Sequence, residues 1–301
     1  MSSQSTIGAR PAEPARRSQI HPDTTLGAVR LTVSDLPRSQ DFYTRALGLQ
    51  ASELDNGDVA VGVAGERPLI ELHGDPAAPR LNRRSTGLYH LAIVVPTRRD
   101  LAFALARLVE ARWPLDGASD HLVSEALYLS DPDGNGIEIY RDRPRDEWRY
   151  EGQTLSMGTL PLDLDGVLGE LAGERELQHQ APAGTQIGHV HLQAADIAPA
   201  EGFYSGVLGF EVTVRGYPGA LFVSAGGYHH HIGLNTWHSA GASPPALGSV
   251  GLRSFDVLLP DTQELERVLE RVRAAGIPIE DVGTGSLVRD PSGNAVLLRT
   301  R

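Results

Sequence analysis

Two segments each occur twice in this chain, and that repetition constrains the fold more than any other feature. LGAVRLTVSDLPRSQDFYTRALGL (26–49) parallels IGHVHLQAADIAPAEGFYSGVLGF (187–210), each reading as an alternating strand, a turn and an amphipathic helix closing at Leu-Gly. YHLAIVVPTRRDLAFALARLVEARWPL (89–115) parallels RSFDVLLPDTQELERVLERVRAAGIPI (253–279), and these lead to the similar endings DPDGNGIEIY (131–140) and DPSGNAVLLR (290–299). Four copies of one unit result: 26–80, 86–145, 186–238 and 250–301. Each reads as a strand, a helix and about three strands, so the expected class is α+β, built of βαβββ units. One such unit cannot bury both faces of its curved sheet, so units must pair into open barrels with helices outside and a cavity inside. The expected organisation is a disordered tail (1–21), an N-terminal half (22–145), a polar connector with one short helix (146–185) and a C-terminal half (186–301).

At 301 residues and 41% hydrophobic content the chain can build two domain-sized cores. A formal charge of -11 with no basic block argues against nucleic acid or an anionic membrane surface as partner, leaving a small molecule. The sequence has no apolar run of ~18 residues and no hydrophobic segment near its start, so a soluble, cytoplasmic protein is expected. Homo-oligomerisation is left open. With zero cysteines, a metal can be held only by histidine and carboxylate.

Strand alternation selects the candidates. In GIEIY the flanking Ile137 and Ile139 should face the helices, which turns Glu138 into the cavity, where an unpartnered carboxylate would cost several kcal/mol. In YHLAIVV, His90 shares a face with Ala92 and Val94, while Tyr89, Leu91 and Ile93 should point outward. In GHVHLQA, His189 and His191 share the inward face and compete as ligands. The run His229, His230, His231 reads either as functional or as a polar edge strand. Glu71 in PLIEL reads best as solvated or paired with arginine, and Arg83 or Arg145 is the ordinary alternative partner for Glu138.

The unit pattern, the FYTRALG and FYSGVLG helices and the DPDGNGIE ending resemble the vicinal oxygen chelate superfamily, which includes glyoxalases, bleomycin resistance proteins and dioxygenases. DHLVSEALYLSDPDGNGIE further resembles the signature of type I extradiol ring-cleavage dioxygenases, with His121, Tyr128, Asp131, Pro132, Gly134 and Glu138 at matching spacings. Over about residues 22–301 the chain looks most like the two-domain catechol 2,3-dioxygenases. The resemblance implies one metal held by a first-strand His from each of two paired units and a last-strand Glu. Pairing within the halves fails to supply this set, because Ala28, Ser254 and Leu297 stand at ligand positions. Pairing unit two with three, and one with four, restores it as His90, Glu138 and His189, and leaves a second, empty barrel.

Two His and one carboxylate imply Fe(II), with Mn(II) the alternative, and leave positions for a catechol-type molecule and O2. By the same resemblance His230, or His231 in its stead, is the acid–base, and His121 and Tyr128 bond the substrate oxygens. The implied activity is extradiol cleavage in aromatic hydrocarbon catabolism. A glyoxalase-type lyase or isomerase using Glu71, and a metal-free binding protein, are the alternatives.

Overall fold

A computed structural model of the chain describes residues 19–82, 84–152 and 154–301. Residues 1–18 of the expected tail lie outside the described residues, as does Arg83. Ile20, assigned to the tail from its sequence, is buried instead, and its N–H donates to the Gly209 carbonyl (2.8 Å). Its apolar side chain has found the core beside unit three.

All four units take the expected order. Unit one comprises β1 (Thr25–Val33), α1 (Leu36–Arg45), β2 (Gln50–Glu53), β3 (Val59–Gly62) and β4 (Pro68–Gly74). Unit two comprises β5 (Gly87–Val94), α2 (Arg98–Glu110), β6 (Gly117–Asp120), β7 (Ser124–Ser130) and β8 (Gly136–Asp142). The connector has a 3-10 turn (Arg145–Glu147), short strands β9 (Tyr150–Glu151), β10 (Thr154–Leu155) and β11 (Leu160–Pro161), and one short helix, α3 (Leu164–Gly169). Unit three comprises β12 (Gln186–Gln193), α4 (Ile197–Glu201) continued by a π-helical turn (Gly202–Val207), β13 (Glu211–Val214), β14 (Ala220–Ser224) and β15 (Ile232–Asn235). Unit four comprises β16 (Gly251–Leu259), α5 (Thr262–Ala274), β17 (Glu280–Asp281), β18 (Ser286–Arg289) and β19 (Ala295–Thr300). Among the described residues no helix is long and apolar enough to cross a membrane.

The units pair across the halves of the chain. One sheet runs β11-β6-β7-β8-β5-β12-β15-β14-β13, joining units two and three. The other runs β17-β18-β19-β16-β1-β4-β3-β2, joining units four and one. Each is closed at its centre by an antiparallel pair of first strands, β5 with β12 and β1 with β16. Their helix-facing sides share one apolar core that includes Leu31, Ile70, Leu91, Ile137, Val190 and Phe255, each fully buried and contributing about 1.5–3 kcal/mol.

The repeated motifs hold the units together. The caps Asp35, Thr97, Asp196 and Asp261 each accept a backbone N–H in the first turn of a unit helix. In DPDGN the buried Asp131 accepts from the Asp133 and Asn135 N–H groups and from Asn135 Nδ2, while Tyr43 of the FYTRALG helix donates its hydroxyl to it (3.1 Å). Asp290 in DPSGN is bound in the same way, by Ser292, Asn294 and Tyr204. These tyrosine–aspartate bonds tie unit one to two and three to four, so each half is joined through its turns while each sheet crosses between halves.

Candidate metal centre

The antiparallel contact of β5 and β12 sets the centre's geometry. Ala92 stands opposite His189, and His90 opposite His191. β8 lies on the other side of β5, in parallel register with Glu138 beside Ala92. An irregularity at Gly188 lies between the pairs Ile187–Ile93 and His189–Ala92, allowing Ile187 to stay in the helix-facing core while His189 turns into the cavity.

His90 Nε2, His189 Nε2 and Glu138 Oε2 consequently converge: the two imidazole nitrogens are 3.3 Å apart and stand 3.0 Å and 3.1 Å from the carboxylate oxygen. Donors at right angles around one cation, each ~2.1 Å from it, lie about 3.0 Å from one another, so the three fit a common divalent metal on one face. Among the described residues this is the one group of His, Asp and Glu so arranged. Arg145 is not the partner of Glu138, since it donates to the Gly226 carbonyl and stacks on Trp148, while Arg83 lies outside the described residues.

The charges suit a cation. Burial opposes ionisation of Glu138, but His189 and His90 outweigh it and hold the carboxyl well below the usual range. Burial pushes His189 down to about 4 despite the pull of Glu138. At neutral pH Glu138 is therefore a carboxylate and His189 a neutral imidazole, the protonation states in which such residues bind metal.

The centre opens into a cavity of about 870 Å³ lined by His121, Tyr128, His191, His230 and Trp237 among others. Its volume lies within the range of small-molecule sites. His230 lies with its ring centroid 4.1 Å from that of His189, and burial, then the neighbouring imidazoles, hold its pKa well below the ordinary value. His231 is turned away, its Nδ1 accepting the Ala225 N–H and its ring packed near Phe210 and Tyr228. The run is not an edge strand, because residues 229–231 lie in the loop before β15 and all three side chains are buried.

His121 and Tyr128 face each other, Nε2 to hydroxyl, at 2.6 Å. His121 Nδ1 donates to the Gly158 carbonyl (2.6 Å), so Nε2 is the bare nitrogen and Tyr128 donates to it. Burial first, then the nearby Glu138 carboxylate, raise the Tyr128 phenol well above 10. His191 lies in the cavity with Nε2 buried and unpaired among the described residues.

Tyr89 departs from expectation: it lines the cavity, its ring against His90, His191 and Trp237. A second irregularity, between His191–His90 and Leu192–Leu88, skips Tyr89 and releases it from the alternation. Alternation alone gave no sign of this. Trp237 and the chain of groups behind His230 had no sequence signal either.

In the other sheet Ala28, Ser254 and Leu297 are assembled without metal ligands, but that sheet is not empty. Arg30, opposite Ser254, forms a two-pronged pair with Glu71 (2.9 and 3.2 Å) and a third bond to Asp256 (2.5 Å). Arg30 stands where unit three has His191, and Glu71, beside Arg30, stands where it has Gly233, beside His191. An ion pair thus fills this sheet at the place where the first has its histidines.

The chain is 45% identical over 284 residues to a catechol-2,3-dioxygenase of Bacillus subtilis (strain 168), covering 93% of this chain and 98% of that one. Glyoxalase I of Zea mays superimposes with a TM-score of 0.56 at 14% identity, covering 92% of each chain. The cppA protein of Streptococcus pneumoniae TIGR4 gives 0.54 at 13% identity, over 94% of this chain and 99% of that one. The family model that matches spans residues 25–139 and 186–298, the two halves of the chain whose strands together carry the convergent His, His and Glu, and the chain therefore belongs to the Glyoxalase/Bleomycin resistance protein/Dioxygenase superfamily.

Proposed function

We propose that the protein is a non-haem Fe(II) extradiol dioxygenase that opens a catechol-type ring next to its diol. The observation that carries this reading is the convergence of His90, His189 and Glu138 on one face of a cavity, a donor set suited to ferrous oxygen chemistry. The 45% identity to a catechol-2,3-dioxygenase supports it.

Iron held by His90, His189 and Glu138 would supply the chemistry of binding a catechol and activating O2. The protein's own residues do the rest. With one carboxylate among its three ligands, a divalent ion held here would keep net positive charge, which would favour a catechol that has lost a proton. His230 is held neutral beside His189 and accepts that proton. Tyr128, its hydrogen committed to His121, presents an oxygen lone pair to the remaining substrate hydroxyl. Met157, Phe222 and Trp237 furnish apolar wall for the ring.

A lyase of the glyoxalase type would need a second carboxylate. Glu71 is in the other sheet, bound to Arg30, and its counterpart here is Gly233. That favours oxygen chemistry over isomerisation.

The test is anaerobic loading with Fe(II), metal analysis and oxygen uptake on catechols. His90→Ala, Glu138→Ala and His189→Ala are each expected to lose the metal. His230→Phe should retain it and turn over roughly 10²-fold more slowly. Glu71→Gln should retain both metal and activity. Near-stoichiometric metal in the three ligand variants, or no oxygen uptake by iron-loaded wild type on any catechol, would overturn the assignment.

A further inference from the structure

Behind His230 runs a line of hydrogen bonds toward the surface. His230 Nδ1 lies 2.7 Å from His229 Nδ1, and His229 Nε2 lies 2.9 Å from an oxygen of Asp142. Asp142 is the third residue on the inward face of β8, after Glu138 and Tyr140, and its side chain is one-third exposed. The tautomers follow from the acceptor end. An ionised carboxylate only accepts, so in the neutral imidazole of His229 Nε2 carries the hydrogen and Nδ1 is bare. His229 Nδ1 can then only accept, which places the His230 hydrogen on Nδ1 and leaves His230 Nε2 bare. His230 Nε2 makes no hydrogen bond among the described residues, and His230 lines the cavity.

We propose that Asp142 and His229 are positioning residues that fix His230 in the one tautomer able to take a proton from a substrate in the cavity. This rests on the reading of His230 as the base. The arrangement resists reorientation. His229 is fully buried, with Tyr228 stacked on it at 4.1 Å and Trp148 at 5.6 Å between ring centroids. Asp142 is held in turn by the Tyr228 hydroxyl (3.0 Å), which also meets the Tyr140 hydroxyl (2.6 Å). Without the carboxylate, nothing in this line prefers one tautomer of His229, and the flipped form of His230 would present a hydrogen where a lone pair is needed.

The experiment reads the tautomers directly by long-range proton–nitrogen spectra of metal-free protein with 15N-labelled histidine. Wild type should show His230 with its hydrogen on Nδ1 and His229 with its hydrogen on Nε2. Asp142→Leu should mix the tautomers of both, and the iron-loaded variant should consume oxygen on a catechol roughly 10²-fold more slowly at unchanged iron content. A hydrogen on His230 Nε2 in wild type overturns the proposal, and that measurement decides the matter even if the variant fails to fold. So does an Asp142→Leu protein with wild-type tautomers and wild-type rate. If iron-loaded wild type consumes no oxygen, the dioxygenase reading fails by itself, while the spectra still decide the positioning.

Discussion

Histidine carries much of this protein's buried polarity: His90, His189, His191, His229, His230 and His231 are all less than a tenth exposed. Burying an imidazole disfavours its charged form, and the effect is largest where no carboxylate answers it. His231 illustrates this, since burial, then His229 and His189, push it down to about 3 against a smaller opposing pull from Asp142. The consequence for stability has a definite sign. In the unfolded chain His231 takes up a proton below about pH 6.5, whereas in the folded protein it resists until about 3. Its contribution is therefore fully present above pH 6.5 and is lost as pH falls toward 3, at roughly 1.4 kcal/mol per pH unit. His189, pushed down to about 4, acts in the same direction. Urea unfolding of metal-free protein between pH 7 and 4 should show a steep fall in stability. His231→Phe should make that fall shallower, although it costs some stability at pH 7 by leaving the Ala225 N–H without its acceptor. Equal pH slopes in the two proteins would show that His231 is not held neutral.

At the scale of the strand, the centre depends on Gly188 as much as on its ligands. A Cβ there would overlap the Tyr140 hydroxyl oxygen and stand 2.8 Å from its Cζ, so the glycine is what lets Tyr140 pass across β12 beside His189. Gly188→Ala is expected to displace Tyr140 or push β12 from β5, lowering stability by about 1–3 kcal/mol and weakening metal binding at least tenfold. Metal titration of the variant checks this, and wild-type affinity would show that the strand pair yields without moving His189. Alternation correctly assigned His90, Glu138 and both histidines of β12 to the inner face, because a polar residue between two apolar ones on a strand has one place to go. It failed for Tyr89, where a local irregularity in pairing changes the face. Such irregularities arise from contacts between strands distant in sequence, so no local pattern announces them.

Over the whole molecule, cross-half pairing follows from which units kept ligands: Ala28, Ser254 and Leu297 mark one sheet, and His90, Glu138 and His189 the other. What took the ligands' place, the Arg30 pair with Glu71 and Asp256, was not legible, because a charged residue on a strand shows no partner in sequence. The interlock has a consequence for dissection of the chain. Residues 1–150 contain His90 and Glu138, but β5 pairs with β12 along most of its length, and that partner would be gone. The half could keep its Tyr43–Asp131 bond and even let β1 turn onto β5 as a substitute. Neither arrangement supplies a second imidazole, since unit one offers Ala28 where unit three offers His189. The fragment 1–150 should therefore bind Fe(II) at least 10²-fold more weakly than the whole chain, the third ligand being absent. Residues 151–301 alone carry His189 without the carboxylate and should bind no better. Co-expression of the two fragments should restore metal binding, because both sheets form only when β5 meets β12 and β1 meets β16. Equilibrium dialysis of each fragment and of the co-purified pair decides it. Whole-chain affinity in fragment 1–150 would mean that the centre is complete within one half, and the ligand assignment to His189 would fall with it.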